Sequence, residues 1–162
     1  MQLTNDIQLL ILIAAANTAP LVAKFLLGDR CAYRIDNGAV MRDGQPVFGA
    51  SKTIRGASSA ILATTVLAPL LGFAVSFGLL IGASAMVGDL CSSFVKRRLG
   101  LEASSRVTGL DQIPESLLPI LAGWRILSLT AGDVVAITAI FFVGEVVLSK
   151  ALFRLHLRDR PY

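Results

Sequence analysis

Charged residues are scarce in this 162-residue chain, at 16%, whereas soluble domains carry roughly 25%. Hydrophobic residues make up 54%, and the mean hydropathy is +0.70. This composition excludes a disordered chain and argues against a soluble globule. Only two cysteines occur, Cys31 and Cys91, and their spacing fits neither a disulfide framework nor a zinc site. The net charge of +4 is too small and too dispersed to indicate a nucleic-acid partner.

The apolar residues occur in long blocks, which is typical of a polytopic membrane protein. Residues 7–27 lack the basic start and the small-residue cleavage site of a signal peptide, so we expect a retained helix. Residues 57–95 would form a helix of about 58 Å, too long for one crossing, and Pro69 and Gly72 offer a place to turn. We predict an all-α membrane helix bundle, a single domain over residues 1–162, with about five transmembrane helices at 7–27, 57–71, 73–95, 115–130 and 131–153.

Lysine and arginine are concentrated in three segments. Residues 28–56 contain five, residues 96–114 contain four and the C-terminal end contains four, which is thirteen of the 15 in the chain. Because positively charged segments stay in the cytoplasm, we predict an integral multi-pass protein of the cytoplasmic membrane with its N-terminus outside. The loops at 28–56 and 96–114 are then two long cytoplasmic loops. This bias accounts for most of the positive charge without a partner.

A polar stripe interrupts the third apolar block. Its members, spaced as one face of a helix, are Asp89, Ser92, Ser93, Lys96 and Arg97. A carboxylate at membrane depth costs about 2.5–3.5 kcal/mol on insertion scales. We therefore expect the stripe to face a water-filled cavity or a bound ion. The alternative is a buried ion pair between Asp89 and a lysine or arginine, with the other cations reaching the interface.

A second carboxylate, Asp111, closes the second predicted loop just before the fourth span. It could return to the interface that holds Asp89. Two carboxylates beside several cations suit Mg²⁺ and a polyphosphate, because Mg²⁺ is usually held by one or two carboxylates, waters and substrate phosphates. The alternative is that Asp111 caps the N-terminus of the fourth helix.

The first loop ends in Gly49-Ala50-Ser51-Lys52-Thr53-Ile54-Arg55-Gly56. Glycines, hydroxyls and two cations before a helix resemble a phosphate cradle, since backbone N–H groups and cations bind phosphate oxygens. The segment is not a Walker A loop, because the G-x-x-x-x-G-K-[ST] pattern is absent. The alternative is a basic cytoplasmic turn.

Other polar or small residues in the apolar blocks favour structural explanations. Asn17 shares a helix face with Pro20 and Lys24 and should find a partner inside the bundle. Glu145, in the fifth span, is harder to explain by packing and could support the site. Close helix packing, and a homodimer contact, are favoured by three small residues spaced by four: Ala74, Gly78 and Gly82.

The chain resembles the CDP-archaeol synthases, small integral-membrane CTP-transferases related to phosphatidate cytidylyltransferases. The second loop is the most specific part of the resemblance. The matching segments follow the family's order over nearly the whole chain: Asn17-Thr18-Ala19-Pro20, Arg42-Asp43-Gly44, Phe48-Gly49, Lys52-Thr53-Ile54-Arg55-Gly56, Gly88-Asp89, Ser93-Phe94-Val95-Lys96-Arg97-Arg98-Leu99-Gly100, Leu110-Asp111-Gln112 and Pro161-Tyr162. Where the family usually has Gly-Asp-Gly-Lys-Thr, Ala50 and Ser51 replace the aspartate and the second glycine. One carboxylate contact is lost there, which bears on lipid or nucleotide specificity.

The resemblance implies five transmembrane helices, a charged cytoplasmic cavity, CTP and Mg²⁺ as ligands, and a lipid phosphate as acceptor. The expected activity is that of a CTP-dependent cytidylyltransferase, which forms a CDP-lipid and pyrophosphate while the lipid tail stays among membrane lipids. Because the attacking phosphate is already an anion, such an enzyme needs mainly positioning and charge neutralisation. We expect Asp89, Lys96 and Asp111 to be catalytic, and Asp89 and Asp111 to bind Mg²⁺. The expected substrate-binding residues are Asn17, Lys52, Thr53, Arg55, Ser93 and Arg97.

An alternative function is a small transporter or an assembly subunit without enzymatic activity. Asp89 and Glu145 would then be ion or proton sites within the membrane. Inverted repeats would favour this alternative, and the sequence shows none.

Overall fold

The structure, a computed structural model, describes residues 3–102, 107 and 109–154, with side chains described as far as Ser149. These residues form five helices: α1 Leu3–Leu27, α2 Ile54–Leu70, α3 Val75–Arg98, α4 Gln112–Leu127 and α5 Ala131–Arg154. The all-α prediction is therefore confirmed. The basic side chains of the C-terminal end, Arg106 and the segment Pro161-Tyr162 lie outside the described residues.

Three of the helices are long and apolar enough to cross a membrane: α1, α3 and the part Ala131–Ser149 of α5. The α2 helix is apolar but has 17 residues, and α4 has 16. Helices of that length extend about 24–26 Å, somewhat less than the roughly 30 Å hydrocarbon core. Five crossings and their orientation stay predictions.

The bounds of the helices are shifted from those of the apolar blocks that predicted them: α1, α2 and α4 begin earlier, α3 begins and ends later, and α2 and α4 end earlier. α1 begins at Leu3, α2 at Ile54 and α4 at Gln112, and α3 begins at Val75 and continues to Arg98. Lys96 and Arg97, which we assigned to the second loop, therefore lie in the last turn of α3. Hydropathy marks the apolar part of a helix rather than its end, and cations are favourable at a helix C-terminus.

The turn between α2 and α3 lies where proline and glycine predicted it. Pro69 is in the last turn of α2, and Gly72 has a φ of +83°, a left-handed conformation that glycine adopts without strain. The N–H of Leu71 donates to Leu67 O at 3.2 Å and so closes the helix. The two helices then run back antiparallel, as expected for a short connection.

Glycines on α3 allow close helix contacts on two sides. A Cβ on Gly78 or on Gly82 would overlap Thr64 of α2, and one on Gly88 would overlap the backbone of Pro114 in α4. The small-residue face of α3 is therefore occupied within the chain, as expected for close packing. This packing leaves Gly78 and Gly82 buried against α2 and unavailable for the homodimer contact that their spacing also suited.

Candidate functional site

A cavity of about 270 Å³ opens at the loop end of the bundle, between the end of α1, the first loop and α3. This volume lies near the lower end of the roughly 300–1,000 Å³ typical of small-molecule sites. Its charged lining residues are Lys24, Asp29, Lys52, Arg55 and Asp89. The predicted phosphate cradle and the predicted intramembrane carboxylate therefore share one cavity.

Asp89 and Lys52 form an ion pair across this cavity wall. Their side chains are 21% and 19% exposed, so both groups are accessible from the cavity. Asp89 comes from the middle of the third apolar block, whereas Lys52 comes from the first loop, 37 residues earlier. The pair matches the alternative expected for Asp89 only in part: Asp89 does pair with a lysine, but the pair is partly exposed at a cavity, and the other cations of the stripe are buried.

Glu115 is a functional candidate that the sequence did not reveal. Its carboxyl group, on α4, lies beside that of Asp89 and within electrostatic range of Glu145, and the residue is only 8% exposed. The contact exists because Gly88 lets the α4 backbone approach α3 at Pro114. The available signal was a carboxylate one helical turn after Asp111.

Asp111 forms a different pair. Its Oδ1 lies 2.7 Å from Lys96 Nζ, and both side chains are at most 10% exposed. Lys96 follows Asp89 by seven residues, which is about 10.5 Å along the helix axis. The structure thus places Lys96 and Asp111 about two turns from Asp89, and Glu115 beside it.

Helix capping does not explain Asp111. The residue occupies the N-cap position of α4, but its side chain makes no capping hydrogen bond. Its carboxylate instead accepts a hydrogen bond from Val107 N at 3.3 Å, in addition to the ion pair with Lys96. The neighbouring Gln112 accepts from Gly109 N at 2.7 Å, so the start of α4 also orders the end of the second loop.

Most of the polar stripe is buried rather than exposed to a cavity. Ser92, Ser93, Lys96 and Arg97 are all at most 6% exposed, and only Asp89 lines the cavity. Apart from Asp89, the stripe therefore does not face the expected water-filled cavity, because α4 and the start of the second loop cover it. The other expectation, a bound ion, stays a prediction. Arg97 donates to the carbonyl of Glu102, and its Nε has no hydrogen-bond partner among the described residues.

Thr53 and Arg55 line the cavity and also shape it. The Thr53 hydroxyl caps α2 by accepting a hydrogen bond from Gly56 N at 3.1 Å. Arg55 Nη1 donates to Gly28 O at 2.7 Å and to Arg30 O at 2.6 Å, which ties the end of α1 to the start of α2. Part of the charge expected to neutralise phosphate is therefore engaged by backbone carbonyls.

Asn17 lies in a second cavity, of about 280 Å³, between α1 and α5. Its side-chain amide donates to Ile13 O at 3.0 Å within α1. The walls are mainly apolar, and Glu145 and Thr18 add polar groups. The structure thus separates Asn17 from the other predicted substrate-binding residues and places it with Glu145.

Two aspartates organise the first loop. Asp36 accepts hydrogen bonds from Gly38 N, Phe48 N and Gly49 N, each at 3.0 Å. Asp43 pairs with Arg98 at 2.5 Å, which ties the loop to the end of α3. Arg98 also donates to Pro46 O at 2.7 Å and lies over the Phe94 ring. Only Asp43 lay in a segment that the sequence marked.

The carboxyl pair formed by Asp89 and Glu115 fits a magnesium ion. The described residues contain no cluster of three or more histidine, cysteine, aspartate or glutamate side chains arranged for a metal. Mg²⁺ bound with a nucleotide needs only one or two carboxylates, since phosphates and waters complete its shell. A divalent cation between the two carboxyl groups would offset the repulsion between their negative charges.

Comparison with known proteins identifies relatives over most of the chain. A family model described as "CarS-like: CDP-archaeol synthase" matches residues 6–162. The CDP-archaeol synthase of Hyperthermus butylicus is 37% identical over 105 residues, which cover 61% of this chain and 60% of that protein. That of Pyrococcus abyssi is 28% identical over 158 residues, which cover 91% and 90%.

A solved structure has the same fold. It is described as "Structural insight into an intramembrane enzyme for archaeal membrane lipids biosynthesis". It matches with a TM-score of 0.77 and 27% sequence identity, over 88% of this chain and 90% of that one. Because the family model spans residues 6–162, the chain belongs to the CDP-archaeol synthase family, as its sequence motifs indicated.

Proposed function

We propose that this protein is a CTP-dependent cytidylyltransferase that converts a lipid phosphate into a CDP-lipid in membrane lipid biosynthesis. A phosphate oxygen of the lipid attacks the α-phosphorus of CTP and forms a new O–P bond. The bond between the α-phosphorus and the bridging oxygen breaks, and pyrophosphate leaves with that electron pair. The ion pair of Lys52 and Asp89 at the wall of the cavity is the observation that carries this proposal.

Asp89 and Glu115 would hold Mg²⁺ at this wall. When bound, Mg²⁺ neutralises charge on the triphosphate. Lys52 would then be released from Asp89 to contact phosphate oxygens, because it is the cation nearest to that carboxylate. Asp111 was expected as the second metal ligand. Its contact with Lys96 supports a different role, in which it holds the Lys96 ammonium group in place.

The remaining cations would add positive charge near the phosphates from two sides, in the first loop and at the end of α3. Arg55 and Thr53 line the cavity on the side of the first loop. Lys96 and Arg97 lie in the last turn of α3, with Ser93 one turn before them. Charge stabilisation by preorganised groups is the main catalytic contribution available here. No covalent nucleophile is required.

The lipid phosphate would reach the site from the membrane. The second cavity, with Asn17 and Glu145, has mainly apolar walls between α1 and α5. Glu145 lies within electrostatic range of Glu115, which is beside Asp89, so the second cavity lies near the proposed metal site. We propose an archaeal-type diether phosphate as substrate, since the relatives are CDP-archaeol synthases. The site would face the cytoplasm, where CTP is available.

The direct test is product formation by the purified protein with labelled CTP, Mg²⁺ and a panel of diether and diacyl lipid phosphates. We expect a labelled CDP-lipid and a preference for the diether. Asp89→Asn should lower turnover by about 10²–10³-fold, as expected for loss of a charge-stabilising group. Asp133→Asn is the matched control, because Asp133 lies at the start of α5, at the opposite end of the bundle. Wild-type turnover by Asp89→Asn would contradict the assignment.

The transporter alternative predicts a different result. CTP with Mg²⁺ should raise the melting temperature of an enzyme that binds them and should not affect a transporter of unrelated ions. Membership of the CDP-archaeol synthase family favours the enzyme.

A further inference from the structure

We propose that Asp36 is a positioning residue for nucleotide binding. It holds the backbone at Phe48 and Gly49, so that the turn that follows presents Lys52 to the cavity. Asp36 itself does not line the cavity and therefore acts through the loop. This inference rests on the proposed function, because it takes the wall formed by Lys52 and Asp89 as the triphosphate site.

The carboxylate of Asp36 joins the two sides of the first loop. Its Oδ2 accepts from both Phe48 N and Gly49 N at 3.0 Å, and its Oδ1 accepts from Gly38 N at 3.0 Å. Phe48 and Gly49 lie 12 and 13 residues further along the chain. Hydrogen bonds to a charged acceptor are roughly twice as strong as neutral ones. The far side of the loop is thus fixed by one side chain.

A short turn links Gly49 to Lys52, so the position of Gly49 determines that of Lys52. Lys52 N donates to Gly49 O at 3.2 Å and closes a turn whose central residues, Ala50 and Ser51, line the cavity. Ile35 N donates to Lys52 O at 3.0 Å and holds the other end. Asp36 and its neighbour Ile35 therefore hold both ends of the turn from Gly49 to Lys52.

Gly49 has a φ of +99°, which only glycine adopts readily. Its N–H points at Asp36 in that conformation. Loss of the carboxylate would leave the conformation unsupported and would let Lys52 move relative to Asp89. A displacement of about 1 Å in a positioned group can cost up to roughly 10²-fold. The loss should affect the binding of CTP, which Lys52 is proposed to contact, rather than the binding of the lipid.

The test is steady-state kinetics of full-length Asp36→Asn in detergent or vesicles, with CTP and the lipid phosphate varied separately. Asparagine keeps one acceptor oxygen but replaces the other with an NH₂ group. That group is a donor, and it would face backbone N–H groups that are donors too. We expect the KM for CTP to rise about 10-fold or more, a smaller fall in kcat and an unchanged KM for the lipid, the pattern of lost substrate binding. Asp36→Glu keeps both acceptor oxygens and should restore part of the CTP affinity.

Two further variants separate positioning from general stability. Gly49→Ala disturbs the same segment at the donor of the hydrogen bond to Asp36, because alanine does not readily adopt the positive φ of Gly49. It should reproduce the rise in the KM for CTP. Asp133→Asn removes a carboxylate at the other end of the bundle, which accepts a hydrogen bond from Thr130 N at 2.9 Å. It should lower the melting temperature without changing the KM for CTP.

Two results would overturn the proposal. One is an unchanged KM for CTP in folded Asp36→Asn. The other is a parallel loss of kcat and of affinity for both substrates that follows the melting temperature, as for a structural carboxylate. If Asp36→Asn does not fold, Gly49→Ala decides in the same way. A wild-type protein that makes no CDP-lipid, or full activity in Lys52→Ala, would instead refute the proposed function.

Discussion

Both ends of the bundle contain buried side chains, but these side chains differ in chemistry. At the end with the short turns, the core is apolar and includes Leu9, Leu12, Phe77, Ile81 and Leu127. At the loop end, the buried side chains are polar and include Ser93, Lys96, Arg97, Asp111 and Glu115. Buried polar groups cost free energy unless they are paired. The comparison indicates that the apolar end supplies stability, whereas the loop end holds a paired and less stable arrangement for the sake of its site.

The α3 helix runs through both ends and changes character along its length. Its first half contributes Phe77 and Ile81 to the apolar core, and its last turns contribute Asp89 and Lys96. Between them, Gly82 and Gly88 bring α2 and α4 close. The same helix therefore packs in the apolar core and carries charged groups of the site.

The largest effect on stability is expected for Lys96→Met. The substitution leaves the buried carboxylate of Asp111 without its cation, and breaking a buried ion pair on one side typically costs about 3–5 kcal/mol. Unfolding of the purified protein in mixed micelles, followed by its Trp124 fluorescence or by circular dichroism, should show this loss.

The double variant with Lys96→Met and Asp111→Leu separates stability from function. Replacing a whole buried pair by apolar residues is often neutral or stabilising, so the double variant should regain most of the lost stability. It should not regain turnover, because Lys96 is proposed to act on phosphate. Wild-type turnover in the double variant would make the pair purely structural and would remove Lys96 from the site.

A smaller effect is expected at the apolar end. Ile81→Val removes one methylene group from a fully buried side chain, which costs about 0.5–1.5 kcal/mol. Both KM values and kcat should stay unchanged. Ser93→Ala, an equally small deletion at the loop end, should instead change the KM for CTP. If Ile81→Val and Ser93→Ala had the same KM for CTP, the idea that one end supplies stability and the other binds the nucleotide would be wrong.

The sequence predicted the helices and the residues of the site better than the pairs they form. Apolar blocks, Pro69 and Gly72 placed the five helices, and the intramembrane charge of Asp89 drew attention to α3. The first loop and α3 meet at Lys52 and Asp89, two residues that the sequence marked for separate reasons. These features are local in sequence, or follow from the cost of an isolated charge.

The partners of these residues depend on helix register, which periodicity does not fix. Glu115 faces Asp89 because Gly88 sets the contact with α4, and Asp111 is then two turns away beside Lys96. Asn17 faces α5 rather than the first loop. Asp36 was missed because its hydrogen bonds reach 12 and 13 residues along an irregular loop.

The smallest effect concerns pH and the carboxylates of the first loop. Desolvation opposes ionisation of Asp36, but three backbone N–H donors and the charge of Arg34 outweigh it and lower its pKa. The hydrogen bond from Gln45 N and the Arg98 charge lower the pKa of Asp43. A lowered pKa means stability that is present above the unfolded-state pKa of about 3.9 and is lost as the pH falls through the folded-state value.

Hydrogen exchange at individual amides can detect this local loss. The amides of Phe48 and Gly49 should be protected from pH 6 down to about pH 4 and should lose protection below it, after correction for intrinsic exchange. Amides of α3 around Ile81, where the core is apolar, should keep theirs over the same range. Equal protection of both regions at the lowest pH would show that the Asp36 carboxylate does not hold the loop. Because the side chains packed around Ile81 are apolar, a difference between the two regions reports the electrostatic contribution of the first-loop carboxylates.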